Sequence, residues 1–229
     1  MAGVFSAPAP WRAVECLSDV HLAPWAPRTF EAWRQHLLST DADAVFILGD
    51  LFEVWVGDDA ASLPFERQCL DVLAEAAKQR FVAFMAGNRD FLLGDQALAP
   101  LGVHRWAEPT TVQAFGQRVV LGHGDAWCLD DHDYQQFRQR VRSPAWQAGF
   151  LAQPLTERQA QARQMRDASQ AHQRERGPLL GADVDTLAAQ TLLSECGSTV
   201  LIHGHTHRPA THTLPSGAQR HVLSDWDFD

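Results

Sequence analysis

Five short segments of this chain carry residue types that bind cations. In order they are Asp19-Val20-His21, Gly49-Asp50, Gly87-Asn88-Arg89-Asp90, Gly122-His123-Gly124-Asp125 and Gly204-His205-Thr206-His207. Asp, Asn and His together make a mixed oxygen and nitrogen donor set. Such a set suits Mn, Fe or Zn better than the all-oxygen cages of Ca or Mg. Two ions about 3.5–4 Å apart can clamp a phosphate and hold a hydroxide for in-line attack. The glycines let the backbone turn sharply and come close to a metal and a phosphate. In D-x-H and H-x-H at a strand end, alternate side chains are expected on one face, where both reach one ion. No single segment is specific: a strand-end His is more often structural, and Gly-Asn also suits a turn. The succession of all five is specific.

Each segment follows an apolar run. A weak strand near Ala13–Leu17 precedes Asp19, and AVFIL (Ala44–Leu48) precedes Gly49-Asp50. FVAFM (Phe81–Met85), VVL (Val119–Leu121) and TVLI (Thr199–Ile202) precede the other three. Between the first runs lie helical patterns. Phe30, Trp33, Leu37 and Leu38 recur at helical spacing, and a second amphipathic helix covers about Phe65–Gln79. Strands alternating with helices, each strand ending in chemistry, read as an α/β fold with its site at the carboxyl ends of the strands.

Residues 131–178 break this alternation and read as an all-helical insertion, dividing a core of residues 1–130 and 179–229. Tyr134, Phe137 and Val141 form one stripe, and Trp146, Phe150, Leu151 and Leu155 are apolar. Thr156 with Gln159 is a capping-box signature, and Gly177-Pro178 is a helix stop. The helix between them has Met165 as almost its only large apolar residue, so it is expected to be a lid rather than a core helix. From Tyr134 to Arg176 there are eight arginines against Glu157, Asp167 and Glu175, a balance of +5. The whole chain is −9, so the remainder carries −14. The acidic part is expected to hold cations and the basic part to meet an anion.

Composition excludes other classes. At 229 residues and 45% hydrophobic, the chain can bury a full core. No apolar run approaches the roughly 18 residues of a spanning helix, and the N-terminus does not read as a signal peptide. Cys16, Cys69, Cys128 and Cys196 show no CxxC spacing, which disfavours thiolate zinc sites and fits a reduced cytoplasmic setting. The negative charge disfavours a general nucleic-acid binder.

The five segments, in this order from Asp19 to His207, resemble the calcineurin-like metallophosphoesterase superfamily. Longer stretches are similar to one branch of it, the UDP-2,3-diacylglucosamine pyrophosphohydrolases of the lipid A pathway. These are GDLFEVWVGDD (Gly49–Asp59), GNRDFLLG (Gly87–Gly94), GHGDAWCLDD (Gly122–Asp131) and IHGHTHRP (Ile202–Pro209). The superfamily usually has His after the Asn of its third segment; Arg89 stands there, as in that branch.

The resemblance implies a sandwich of two facing β-sheets flanked by helices, with the helical lid inserted. It implies two divalent ions, Mn2+ by expectation. One is held by Asp19, His21, Asp50 and His207, the other by Asp50, Asn88, His123 and His205. His203 and Asp125 are expected to support these ligands. Substrate contacts fall on Asn88, Arg89, Asp131, Ser169, Gln173, Arg176 and His205, with Asp50, Asn88, Arg89 and His205 at the chemistry. Gln173 stands where Asn is common in the branch, and Arg176 where Lys is common. If residues 156–176 are helical, Arg166, Ser169, Gln173 and Arg176 share a face, which a solvated basic surface would also explain. The implied reaction is hydrolysis of UDP-2,3-diacylglucosamine to its 1-phosphate and UMP, by a peripheral enzyme on the cytoplasmic face of the inner membrane. Tyr134, Phe137, Trp146 and Phe150 are candidates to shelter acyl chains. No nucleic-acid or obligate protein partner is implied. Another phosphodiesterase or nuclease, or a non-catalytic scaffold of the same fold, stay open as alternatives.

Overall fold

A computed structural model describes residues 3–176 and 183–229, with side chains described over 3–166 and 183–229. It contains the five expected strands, with slightly different bounds. They are β2 (Val14–Leu17), β3 (Ala44–Leu48), β4 (Phe81–Met85), β7 (Gln117–Leu121) and β8 (Val200–His203). Five short strands join them: β1 (Gly3–Ser6), β5 (Val103–Trp106), β6 (Thr110–Ala114), β9 (Ala210–Thr213) and β10 (Gln219–Val222). Two sheets result. One is all parallel in the order β2-β3-β4-β5; the other is mixed, in the order β1-β6-β7-β8-β10-β9.

Side-chain alternation along β3 builds two layers at once. All five residues are buried. Val45 and Ile47 face one way, into a core shared with Phe30, Trp33 and Leu37 of α1 (Pro27–Ser39) and Cys69, Leu70 and Leu73 of α2 (Pro64–Ala77). Ala44, Phe46 and Leu48 face the other way and meet Val112 of β6 and Leu121 of β7. The second sheet is covered on its far side by α7 (Thr186–Cys196), whose Ala189 and Leu193 pack with Val120 and Leu201. The order is therefore helix, sheet, sheet, helix. Each large apolar side chain buried here contributes about 1.5–3 kcal/mol relative to exposure.

The insertion is helical: α4 (His132–Val141), α5 (Pro144–Leu151) and α6 (Leu155–Arg176). A four-residue helix, α3 (Asp95–Leu98), lies between β4 and β5. Asp131 caps α4 by accepting from the Tyr134 amide, and Ser143 caps α5 by accepting from the Trp146 amide. The Thr156–Gln159 capping box does not form. Helix α6 already starts at Leu155, and its first turn closes on the Pro154 carbonyl, which accepts from Glu157 and Arg158. The proposed stop at Gly177-Pro178 lies outside the described residues. Phe150 is buried in the main core and stacks on Trp146 at 4.7 Å, so it packs the base of α5 and is not free to line an acyl-chain surface.

Candidate metal centre

The candidate ligands follow β2, β3, β4, β7 and β8, where parallel neighbours bring the strand ends together. The backbone reaches them by a route other than strand alternation. Asp19, His21, Asp50, His205 and His207 all have φ between 50° and 65°. Among the described non-glycine residues only Phe115 shares that left-handed conformation. Asp19 and His21 thus converge by successive kinks beyond β2, not by an extended alternation. Such residues cost on the order of 1–3 kcal/mol each and persist where the surroundings over-determine them. Two glycines show how tight the cradle is. A Cβ on Gly87 would lie 2.1 Å from Asp50 Oδ1, and one on Gly204 2.1 Å from Asp19 Oδ2.

The side chains form two adjoining groups. In the first, Asp19 Oδ1 is 3.3 Å from His207 Nε2 and 3.9 Å from His21 Nε2, and the two imidazole Nε2 atoms are 3.3 Å apart. Each of these histidines turns its other nitrogen to a carboxylate. His21 Nδ1 is 2.9 Å from Glu53, and His207 Nδ1 is 3.3 Å from Asp225. A carboxylate beside Nδ1 favours the proton there and leaves two Nε2 lone pairs facing one another, which a cation between them would resolve. In the second group, Asn88 Oδ1 is 2.9 Å from both His123 Nε2 and His205 Nδ1, and His123 Nε2 is 3.7 Å from Asp50 Oδ1. His123 Nδ1 meets the Leu48 carbonyl at 2.9 Å, again leaving Nε2 for the centre. Asp19, Asp50 and His123 also offer ligand atoms within 4.8 Å of one another, so the two groups adjoin.

The donor set fits divalent ions. Asp19 is buried, and its Oδ1 has no hydrogen-bond partner, while Oδ2 accepts from Ser18 Oγ and the His205 amide. Buried carboxylates without cations need protons nearby. Burial alone would lower the His123 pKa, but Asp50, Asp19, Asp125 and Glu108 outweigh it and push it up to about 9. Burial, together with the charge of His123, pushes His205 down to about 4. Asp19 resists its own burial and is held well below the usual carboxylate range by His207, His123 and Ser18. Ions bound here would replace the protons that His123 supplies.

Several supporting residues were not read from the sequence. Asp90 is fully buried and accepts from the amides of Gly87, Leu51, Phe52 and Asp50, tying the loops after β3 and β4 together. Burial and Asp50 push its carboxyl up to about 7. Glu108 accepts from the His123 and Gly124 amides at 2.7 and 3.0 Å. Glu53 is ionised below its usual range: burial opposes this, but contact with His21 and the charges of Arg89 and Arg166 prevail. Glu53 and Asp90 stand inside the motifs already quoted. Glu108 and Asp225 had no local signal.

The expected supporting and substrate residues fall in different places. Asp125 holds α4 against the core, since it accepts from Tyr134 Oη and from Arg138 Nε at 2.8 Å. Tyr134 also packs on His205, with ring centres 5.9 Å apart. His203 is buried, with Nδ1 2.9 Å from the Gly204 carbonyl and Nε2 unpartnered. The Arg89 amide donates to Asp50 Oδ1 at 2.8 Å, and its half-buried side chain is close enough for its charge to act on Glu53, the partner of His21. Asp131 is at the N-terminus of α4, where it accepts from the Tyr134 amide. Ser169, Gln173 and Arg176 lie on the last turns of α6, but their side chains are outside the described residues. His36 pairs with Glu15 and His104 stacks on Phe81, both away from the centre.

Residues 14–209 match the family model described as calcineurin-like phosphoesterase. The chain belongs to the calcineurin-like phosphoesterase family. Curated relatives within reach of this family member include proteins named UDP-2,3-diacylglucosamine hydrolase. That of Chromobacterium violaceum is 44% identical, covering 93% of this chain and 90% of the relative. That of Bordetella pertussis is 42% identical over 93% and 84%, and that of Xanthomonas axonopodis 42% over 92% and 90%. As a calcineurin-like phosphoesterase this chain is a metal-dependent hydrolase, and all seven expected ligand side chains line one centre.

Proposed function

We propose that this chain hydrolyses UDP-2,3-diacylglucosamine to 2,3-diacylglucosamine 1-phosphate and UMP, a step of lipid A biosynthesis. The observation that carries the reading is the convergence of Asp19, His21, Asp50, Asn88, His123, His205 and His207 in a chain whose relatives bear that substrate in their name. The first ion is assigned to Asp19, His21, Asp50 and His207, the second to Asp50, Asn88, His123 and His205. Mn2+ is the assigned metal. Bound divalent ions lower the pKa of water and offset charge on the phosphate oxygens.

The protein's own part is placement. Arg89 and His205 hold the diphosphate, with Asn88 beside them. Asp131, Ser169, Gln173 and Arg176 receive the glucosamine end. Residues 131–178 act as a lid over a core of residues 1–130 and 179–229. Water attacks the α-phosphorus, so the sugar phosphate leaves. The balance of +5 from Tyr134 to Arg176 suits an anionic membrane surface, and no described helix is long and apolar enough to cross a membrane. The test is hydrolysis of the diacylated nucleotide in 18O-water. Label in UMP is expected; label in the lipid phosphate, or no cleavage, would contradict the assignment.

A further inference from the structure

One carboxylate joins the ligand wall to the inserted helices. Glu53 lies three residues beyond Asp50 and is mostly buried, with its side chain 14% exposed. Its Oε2 is 2.9 Å from His21 Nδ1, and its Oε1 is 3.0 Å from Arg166 Nε on α6. Arg166 in turn lies over the ring of Trp25 at 4.7 Å, four residues beyond His21.

This contact is the last of a series. Arg158, Ala162 and Arg166 recur every four residues, so they share one face of α6. Arg158 is buried and pairs with Asp59, with Nη1 3.0 Å from Oδ1; it also donates to the Val56 carbonyl. Ala162 packs on the main core. Arg166 reaches Glu53. The helix is therefore fastened along one face to the loop that follows Asp50, and the final fastening is a group touching a candidate ligand.

We infer that Glu53 is a positioning residue through which α6 and the ion site at His21 order one another. The inference rests on the metal assignment made under the proposed function. The Glu53 carboxylate beside Nδ1, a charge contact rather than an aligned hydrogen bond, favours the His21 tautomer whose Nε2 is free toward Asp19 and His207. Arg166 holds the other oxygen of the same carboxylate and limits its rotamers. Restricting either partner lowers the entropy cost of ordering the other. The effect is reciprocal: an ion at His21 steadies α6, and a steadied α6 favours the ion.

The experiment uses the full chain without substrate. Mn2+ affinity is titrated after chelation, and amide hydrogen exchange is followed along α6. Glu53→Gln is expected to weaken one of two ions about 10-fold or more, with the other little changed. Arg166→Gln is expected to weaken the same ion about threefold, although it touches no ligand. That smaller effect disappears in the Glu53→Gln background. Mn2+ slows exchange in α6 of the wild type and not of Glu53→Gln. The coupling is overturned if Arg166→Gln leaves ion affinity unchanged, if its effect is the same in both backgrounds, or if Mn2+ leaves α6 exchange unaltered. Should Glu53→Gln not fold, Arg166→Gln decides alone through ion affinity. A wild type that binds no Mn2+ overturns the metal assignment as well; one that binds two ions with α6 indifferent overturns the coupling only.

Discussion

The ligand wall and the inserted helices are built on different principles. The wall is made of loops at strand ends, with five candidate ligand residues in left-handed backbone and Asp19, Asp50 and His123 buried. Strain and desolvation are sustained there by sheet packing and by Asp90 and Glu108, which gather neighbouring amides. The helices of residues 132–176 are regular; Phe150, Trp146, Leu155 and Ala162 pack on the main core, and three arginines add ion pairs to it: Arg138 to Asp125, Arg158 to Asp59 and Arg166 to Glu53. The wall thus gathers its charged groups by strained loops and shared amides, whereas the helices combine apolar packing with ion pairs to acidic residues of the core.

The comparison breaks most sharply at Asp50. Asp50→Ala removes the ligand assigned to both ions. Turnover is expected to fall about a thousand-fold or more, since the ions supply several kcal/mol of transition-state stabilisation. Elemental analysis should show ion content lowered at both sites. Near-normal turnover with fewer than two ions would refute the shared role.

Next is the joint between the regions. Asp125→Ala leaves Tyr134 Oη and Arg138 Nε without their buried partner. A cost of about 3 kcal/mol is expected from breaking such a network, which chemical denaturation would measure. Faster hydrogen exchange in α4 than in β7 would place the damage in the helices. Equal change in both would blur the distinction drawn here.

The third effect separates binding from chemistry. Arg176→Ala is expected to cost about 1.5–3 kcal/mol of binding, seen as a higher KM for the diacylated substrate. A small phosphodiester should be hydrolysed almost as before, and ion content should stay at two. If the small ester slowed equally, the helices would not be a separate substrate-holding part.

The smallest effect is a control inside the sandwich. Arg220 is buried and pairs with both oxygens of Asp183, at 2.6 and 3.0 Å. Its hydrogen bonds hold the Asp183 carboxyl down to about 2, against an ordinary 3.8. A lowered folded-state value means the contribution is full above the ordinary value and fades as pH falls through the folded one. Because Asp183 is partly exposed, less than about 1 kcal/mol is expected. The melting difference between wild type and Asp183→Asn should be constant above pH ~5 and shrink toward pH ~2. Catalysis at neutral pH should not change.

The same contrast explains what the sequence made legible. AVFIL and FVAFM are buried on both faces, so their apolar runs stand out and their terminal Asp50 and Asn88 are easily located. Strands such as VHRW and QRHV are short and half exposed, and resemble loop sequence. The left-handed backbone of Asp19 and His21 leaves no trace in residue type. Glu108, just before β6, reaches His123, just after β7, across the open end of that hairpin, and Asp225 reaches His207 from beyond β10, so both depend on tertiary folding. In α6 the arginine pattern was visible, but not that Arg158 is buried on the loop after Asp50. A charged residue reads as solvated until its partner Asp59, about a hundred positions earlier, is in place.

The central claim is that two ions held by the strand-end wall hydrolyse the nucleotide lipid presented by the helices. Its most direct test is to strip the protein with a chelator and titrate Mn2+ back while following UDP-2,3-diacylglucosamine cleavage. The stripped protein should be inactive, and activity should return to a plateau at two ions bound per chain. Undiminished cleavage by metal-free protein, or full activity with His21 and His123 both replaced by Ala, would contradict the account.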